Sequence, residues 1–182
     1  MNQAVFLDRD GTLIVEKGYL SRPEETLLLA GAGEALKQLQ DAGFKLFIVS
    51  NQSGVGRGYF TLADLEKVNQ HLLQEFGQEG VRFERIYSAP EAPDEVSRGR
   101  KPSPQFLFDA RDEFGVDLAR SYMIGDRLSD LECGWNAGVR ECLLVRTGYG
   151  AELERNSPEK LRTAKVVNDL AAAAQWIIAQ NP

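Results

Sequence analysis

An alternation narrows the fold more than any other feature of this chain. Short runs rich in Val, Ile, Leu and Phe, at about residues 3–8, 45–50, 83–88, 122–124 and 141–146, are separated by stretches with helical spacing. Continuous apolar runs mark strands buried on both faces, and strand–helix alternation predicts a parallel sheet with helices on either side. Helices are expected at 33–42, stopped by Gly43, and from an N-cap at Thr61 to Phe76 with Leu62, Leu65, Val68 and Leu72 on one side. Further helices are expected at 104–114 ended by Gly115, around Leu131 and Trp135 closing at Gly138, and around 170–178 after a weak strand at 164–167. Thr147–Gly150 reads as a loop. The fold class is α/β: a three-layer sandwich with a central, mostly parallel sheet, one domain over residues 1–182 and no segment long enough for a separate cap domain.

Charge and composition exclude several function classes. The net charge is −6 with no basic face or tail, so nucleic acid is not an expected partner. No apolar run approaches the ~20 residues that span a membrane, so no membrane partner is expected. A strand begins within a few residues of Met1, leaving no room for a signal peptide, and the expected location is cytoplasmic. Cys133 and Cys142 lie nine apart without a CxxC pattern and read as reduced buried thiols. The one histidine, His71, falls within a helical pattern, which argues against zinc chemistry and a Ser-His-Asp triad. With no obvious interaction stripe, the default is a monomer.

What remains is acid at strand ends. Val5-Phe6-Leu7 runs into Asp8-Arg9-Asp10-Gly11-Thr12, and in an open α/β sheet the crevice beyond the carboxyl ends of the strands is where ligands bind. Two such aspartates can be a turn or helix cap. They can also be a nucleophile and an acid/base sharing a hard cation such as Mg²⁺, which prefers oxygen ligands and relieves their repulsion. The second strand leads into Ser50-Asn51-Gln52-Ser53-Gly54-Val55-Gly56-Arg57-Gly58, which is either a flexible loop or an anion cradle of close-approaching N–H groups. A proline-rich charged segment after the third strand ends in Arg100-Lys101-Pro102, with Lys101 expected at a helix start. The fourth run delivers Gly125-Asp126-Arg127-Leu128-Ser129-Asp130 to the same rim.

Four motifs in this order, each in a loop after an expected strand, resemble the haloacid-dehalogenase-like phosphatases: Asp8-Arg9-Asp10-Gly11-Thr12, Ser50, Lys101, and Gly125-Asp126 with Asp130. From Phe6 to about Thr147 the chain is similar to the heptose-bisphosphate and histidinol-phosphate phosphatase branch, through FLDRDGTL, Gly18-Tyr19, SNQSGVGRGYF, RKPSP, SYMIGDRLSD and LVRTG. The resemblance implies a Rossmann-like core. It also implies a Mg²⁺-dependent phosphoric monoester hydrolase that removes the 7-phosphate of the β anomer of D-glycero-D-manno-heptose 1,7-bisphosphate, a step in ADP-heptose and lipopolysaccharide-core biosynthesis. Asp8 would attack phosphorus and become an aspartyl-phosphate. Asp10 would protonate the leaving sugar oxygen and then deprotonate the hydrolytic water. Mg²⁺ would be held by Asp8, the backbone carbonyl of Asp10 and Asp126, with Asp130 orienting the site, while Ser50 and Lys101 would grip the phosphoryl oxygens. Glu16, Lys17, Gly18, Tyr19, Asn51, Gln52, Ser53, Arg57 and Arg100 would contact the sugar and its far phosphate.

One stretch departs from the pattern. Many relatives carry Cys and His zinc ligands between the third strand and the Arg-Lys pair, whereas Ser88–Gly99 here has neither residue type, so no zinc is expected. The altered loop leaves histidinol-phosphate phosphatase and a broad sugar-phosphate phosphatase as alternatives. A phosphate-binding module without turnover is the alternative from another class.

Overall fold

The computed structural model describes residues 2–181. Six parallel strands form one sheet: β1 (Ala4–Leu7), β2 (Lys45–Asn51), β3 (Arg85–Ala89), β4 (Tyr122–Gly125), β5 (Glu141–Val145) and β6 (Lys165–Val167), in the order β3-β2-β1-β4-β5-β6. Among the described residues the α-helices are α1 (Ala32–Asp41), α2 (Leu62–Gln78), α3 (Gln105–Phe114), α4 (Leu128–Ala137), α5 (Gly150–Asn156) and α6 (Leu170–Ala179). The sheet is parallel at every pairing, as the alternation predicts.

Alternate residues of the same strands feed two separate cores, the consequence of side chains standing on opposite sides of a pleat. Val5, Leu7, Leu46, Ile48, Ile124, Leu143 and Val145 pack with Leu36 and Leu39 of α1, Val68 and Leu72 of α2, and Ile177 of α6. Ala4, Phe6, Phe47, Val49, Met123, Cys142 and Leu144 pack on the other face with Leu107 and Ala110 of α3 and Leu131 and Ala137 of α4. The layered α/β class therefore stands. Burial on both faces explains the uninterrupted apolar runs that made the strands legible.

Two local expectations need correcting. Gly150–Asn156 forms a short helix directly after the loop at the end of β5. Its seven residues carry too few apolar positions to show a helical stripe. Lys101 is not in the first turn of α3, which starts at Gln105 behind Pro104. Thr61 caps α2 as expected: its side chain accepts from the Asp64 N–H, and the Asp64 carboxylate accepts from the Thr61 N–H. No helix among the described residues is long and apolar enough to cross a membrane.

Strand order reverses about β1, whose neighbours β2 and β4 belong to different halves of the sheet. The crevice above the carboxyl end of β1 is thus the topological switch point, where such sheets bind ligands.

Candidate active site

Asp8 is the first residue beyond β1, fixed by its N–H donating to the Ile124 carbonyl of β4 at 2.9 Å. Gly11 follows at φ +84°, a left-handed conformation that glycine adopts without strain, and it turns the chain back so that the Gly11 N–H meets the Ile14 carbonyl at 2.8 Å. Space is a second reason for glycine there. A Cβ on Gly11 would lie 2.2 Å from Asp126 Oδ2, and one on Gly148 would lie 2.0 Å from the same oxygen. Two backbone segments thus close on the Asp126 carboxylate, whose Oδ2 also accepts from the Tyr149 N–H at 2.8 Å. Its other oxygen, Oδ1, is buried with no hydrogen-bond partner.

Lys101 joins the strand tips. Its ammonium is 2.6 Å from Asp8 Oδ1 and 2.6 Å from Asp130 Oδ1, and it donates to the Val49 carbonyl at 2.7 Å. Asn51 sets this reach: its side-chain amide accepts from the Lys101 N–H at 2.9 Å and donates to the Lys101 carbonyl at 3.0 Å. Burial alone would pull the Lys101 ammonium down, but the charges of Asp130 and Asp8 overrule it and hold Lys101 above its ordinary value. Burial pushes the carboxyls of Asp8 and Asp126 well above the usual carboxylate range. Neighbouring acidic groups push the same way, while Lys101 partly opposes the effect at Asp8. Oxygens of Asp8, Asp126 and Asp130 all lie within 4.8 Å of one another. Three crowded carboxylates, one of them with an orphaned buried oxygen, match what a hard divalent cation requires. Lys101 pairs with one oxygen each of Asp130 and Asp8, so Asp126 is the member of the cluster without a cationic partner.

Asp10 turns the other way, into a hydrogen-bonded frame. The Arg9 guanidinium forks its two oxygens, Nε to Oδ2 at 2.9 Å and Nη2 to Oδ1 at 3.1 Å. Gln52 Nε2 donates to Asp10 Oδ2 at 2.8 Å and to Ser50 Oγ at 2.7 Å. Asp10 and Ser50, from different strands, are held by a single amide.

These groups floor a cavity of about 370 Å³ lined by Asp8, Asp10, Ser50, Lys101 and Asp130 below and by Glu16, Gly18, Tyr19, Asn51, Gln52, Ser53 and Arg100 around the rim. Asp126 lies fully buried beneath it. Lys17 is not brought to the cavity: its ammonium donates to the Glu25 carbonyl at 2.8 Å. Arg57 is exposed and does not line it either, although its charge reaches Arg100 and, with burial, pulls that guanidinium below its ordinary value. Gln52 and Asn51 line the wall, but their amides are occupied within the protein.

Gly54, Arg127 and Ser129, which the sequence places in rim loops without a role of their own, and Tyr149, which it leaves in a plain loop, complete the lining. Arg127 stacks over the Tyr149 ring at 4.0 Å and pairs with Glu16 at 3.1 Å, strapping three loops across one side of the mouth. Their signal was position alone, since Arg127 and Ser129 stand beside Asp126 and Tyr149 just beyond β5. Tyr19 is backed by Tyr59, packed edge-on against it at 4.6 Å between centroids.

The 88–100 loop is braced by its own polar side chains. Ser97 Oγ donates to Glu91 at 2.7 Å and accepts from the Arg100 N–H at 3.1 Å, and Glu95 accepts from the Ala92 N–H at 2.6 Å. Arg100 Nη1 returns to the Glu91 carbonyl at 3.2 Å.

A buried ammonium paired with two carboxylates, a hydroxyl and an acidic cluster at the switch point of a parallel sheet are what a hydrolase of phosphate monoesters requires. Comparison with known proteins agrees. Residues 99–173 match the HAD-hydrolase-like family. The chain is 39% identical over 182 residues to the D-glycero-β-D-manno-heptose-1,7-bisphosphate 7-phosphatase of Haemophilus ducreyi, covering 96% of this chain and 98% of the relative. It is 41% identical over 145 residues to the enzyme of that name from Helicobacter pylori, covering 79% of this chain and 84% of the relative. The crystal structure of D,D-heptose 1,7-bisphosphate phosphatase from B. bronchiseptica, complexed with magnesium and phosphate, superposes with a TM-score of 0.88 at 31% identity, over 98% of this chain and 99% of that one. The chain therefore belongs to the haloacid-dehalogenase-like phosphatases, in the heptose-1,7-bisphosphate 7-phosphatase family.

Proposed function

We propose that this protein is a Mg²⁺-dependent phosphatase that removes the 7-phosphate of D-glycero-β-D-manno-heptose 1,7-bisphosphate through an aspartyl-phosphate on Asp8. The carrying observation is the placement of Lys101 and Arg100 on one short stretch. Lys101 is buried against Asp8 and Asp130, and its neighbour Arg100 stands at the rim of the same cavity with Arg57 nearby. One cation serves the phosphoryl group that reacts, and the other can hold a phosphate at the far end of a compact sugar. The substrate names of the relatives fit that spacing of charge.

Phosphoryl transfer asks chiefly for positioning and charge neutralisation. Mg²⁺ would be held by the carboxylates of Asp8 and Asp126 and the Asp10 carbonyl, with Asp130 steadying the set, and would neutralise phosphoryl charge. An Asp8 oxygen attacks phosphorus while the bond to the sugar oxygen breaks and Asp10 gives that oxygen its proton. Asp10, now a carboxylate, takes a proton from the water that cleaves the aspartyl-phosphate. Ser50 and Lys101 hold phosphoryl oxygens through both steps. The 88–100 loop braces Arg100 through Ser97 and Glu91.

Catalytic efficiency compared on both anomers of the heptose bisphosphate, histidinol phosphate and fructose 1,6-bisphosphate tests the reading. The β anomer is expected to be preferred at least tenfold. A preference for histidinol phosphate, or equal rates on all, would replace the assignment with one of those activities.

A further inference from the structure

Arg9 heads the largest fully buried side chains in the protein, yet it does not line the cavity. Besides its fork on Asp10, its Nη2 donates to Gln52 Oε1 at 2.9 Å and its Nη1 donates to Asn69 Oδ1 at 3.0 Å. Asn69 lies on α2, sixty residues away and outside the cavity. Gln52 closes the circuit by donating back to Asp10 and across to Ser50. Neighbouring Arg and Asp side chains can fork unaided, as the exposed Arg111 does on Asp112 at 2.7 and 3.1 Å. Here the guanidinium is buried, and it is fixed from outside the pair by the two amide oxygens of Gln52 and Asn69. Gln52 is itself shared among three partners, so Asn69 is the anchor that belongs to no other part of the network.

We propose that Asn69 is a positioning residue for proton transfer by Asp10, acting through Arg9. Its carbonyl fixes the tilt of the guanidinium, the guanidinium fixes the plane of the Asp10 carboxyl, and the carboxyl is thereby aimed at the oxygen that leaves phosphorus. Proton transfer requires heavy atoms within hydrogen-bond reach and in line, and small displacements of a supporting group lower it sharply. Arginine suits the task because its planar fork transmits orientation, which a lysine ammonium cannot. The proposal rests on the acid/base role of Asp10 given above.

The test uses Asn69→Ala, Asn69→Asp, Arg9→Lys and Asp10→Asn on the full chain with Mg²⁺. The substrates are the heptose bisphosphate and p-nitrophenyl phosphate, whose leaving group departs without a proton. Alanine is the best helix former, so Asn69→Ala keeps α2, and Asn69→Asp keeps an acceptor for Arg9. Asn69→Ala should lower kcat on the bisphosphate at least tenfold with KM within twofold, and lower kcat/KM on the aryl phosphate less than threefold. Asn69→Asp should recover most of the loss, and Arg9→Lys should repeat the alanine pattern. No loss in Asn69→Ala, an equal loss of kcat/KM on both substrates, or failure of Asn69→Asp to recover would overturn the proposal. If Asp10→Asn is inactive while Asn69→Ala is unimpaired, only the role of Asn69 is wrong. If Asp10→Asn is itself active, the reading of Asp10 falls first.

Discussion

Lys101 Nζ stands 2.6 Å from Asp8 Oδ1 across 93 residues of chain, and the same ammonium is 2.6 Å from Asp130. All three side chains are buried, so the pairing is a desolvated bridge between the tip of β1, the loop before α3 and the first turn of α4, and it couples the site to the folding of the sheet.

Removing the ammonium leaves two buried carboxylates facing each other without a counterion. Breaking one partner out of a buried pair costs roughly 3–5 kcal/mol, and here like-charge repulsion adds to that. Lys101→Met should therefore lower the urea midpoint markedly at pH 8 and less at pH 5, where the raised Asp8 carboxyl is protonated. It should also lower kcat by at least about a hundredfold, the scale of losing one transition-state stabilising group. Equal midpoints for variant and wild type at both pH values would contradict the account.

The raised pKa of Asp8 and Asp126 gives a pH dependence with a definite sign. Burial favours their neutral forms, so the stability they contribute without metal is complete below the ordinary value of 3.8 and is lost as pH rises through about 7 and about 8. In EDTA, Tm should fall between pH 5 and pH 8. A bound divalent cation needs the ionised carboxylates, so Mg²⁺ at a hundred times its Kd should add about 2.7 kcal/mol and flatten or reverse that fall near pH 8. Thermal scans across this range with and without Mg²⁺ check it. A metal-free Tm that rises with pH would contradict it.

Arg100 sits at the rim, away from the reacting end. Arg100→Ala should raise KM for the bisphosphate about tenfold or more while changing kcat on a small monophosphate less than threefold, since it removes binding made equally in ground and transition states. Ser97→Ala, which cuts the brace from Glu91 to the Arg100 N–H, should shift the same KM in the same direction by a smaller factor. Steady-state kinetics on both substrates decide it. A loss confined to kcat would place Arg100 at the chemistry instead.

Much of this could be read before any coordinates, for identifiable reasons. Val5-Phe6-Leu7 and Leu46-Phe47-Ile48-Val49 are buried on both faces, so their apolar runs are unbroken and the strands stand out. Asp8, Ser50 and Asp126 sit at strand tips, and a parallel sheet sends all its tips to one rim, so their convergence follows from topology. What escaped was whatever depends on side-chain direction. Lys17 lies next to Gly18 in sequence yet points at the Glu25 carbonyl, and Arg127 crosses the mouth to Glu16. Arg9 enters the sequence reading only as a letter of its motif. Its burial is visible only once α2 brings Asn69 over it, and no periodicity in the local sequence encodes that contact.

The central claim is that Asp8 is the group that takes the phosphoryl. Acid-quenched turnover with the heptose bisphosphate and Mg²⁺, followed by peptide mass spectrometry, tests it most directly. The expected result is phosphate on the Asp8-containing peptide, absent in Asp8→Asn, with turnover by that variant lowered at least a thousandfold. Phosphate found on another residue, or undiminished turnover by Asp8→Asn, would contradict the account.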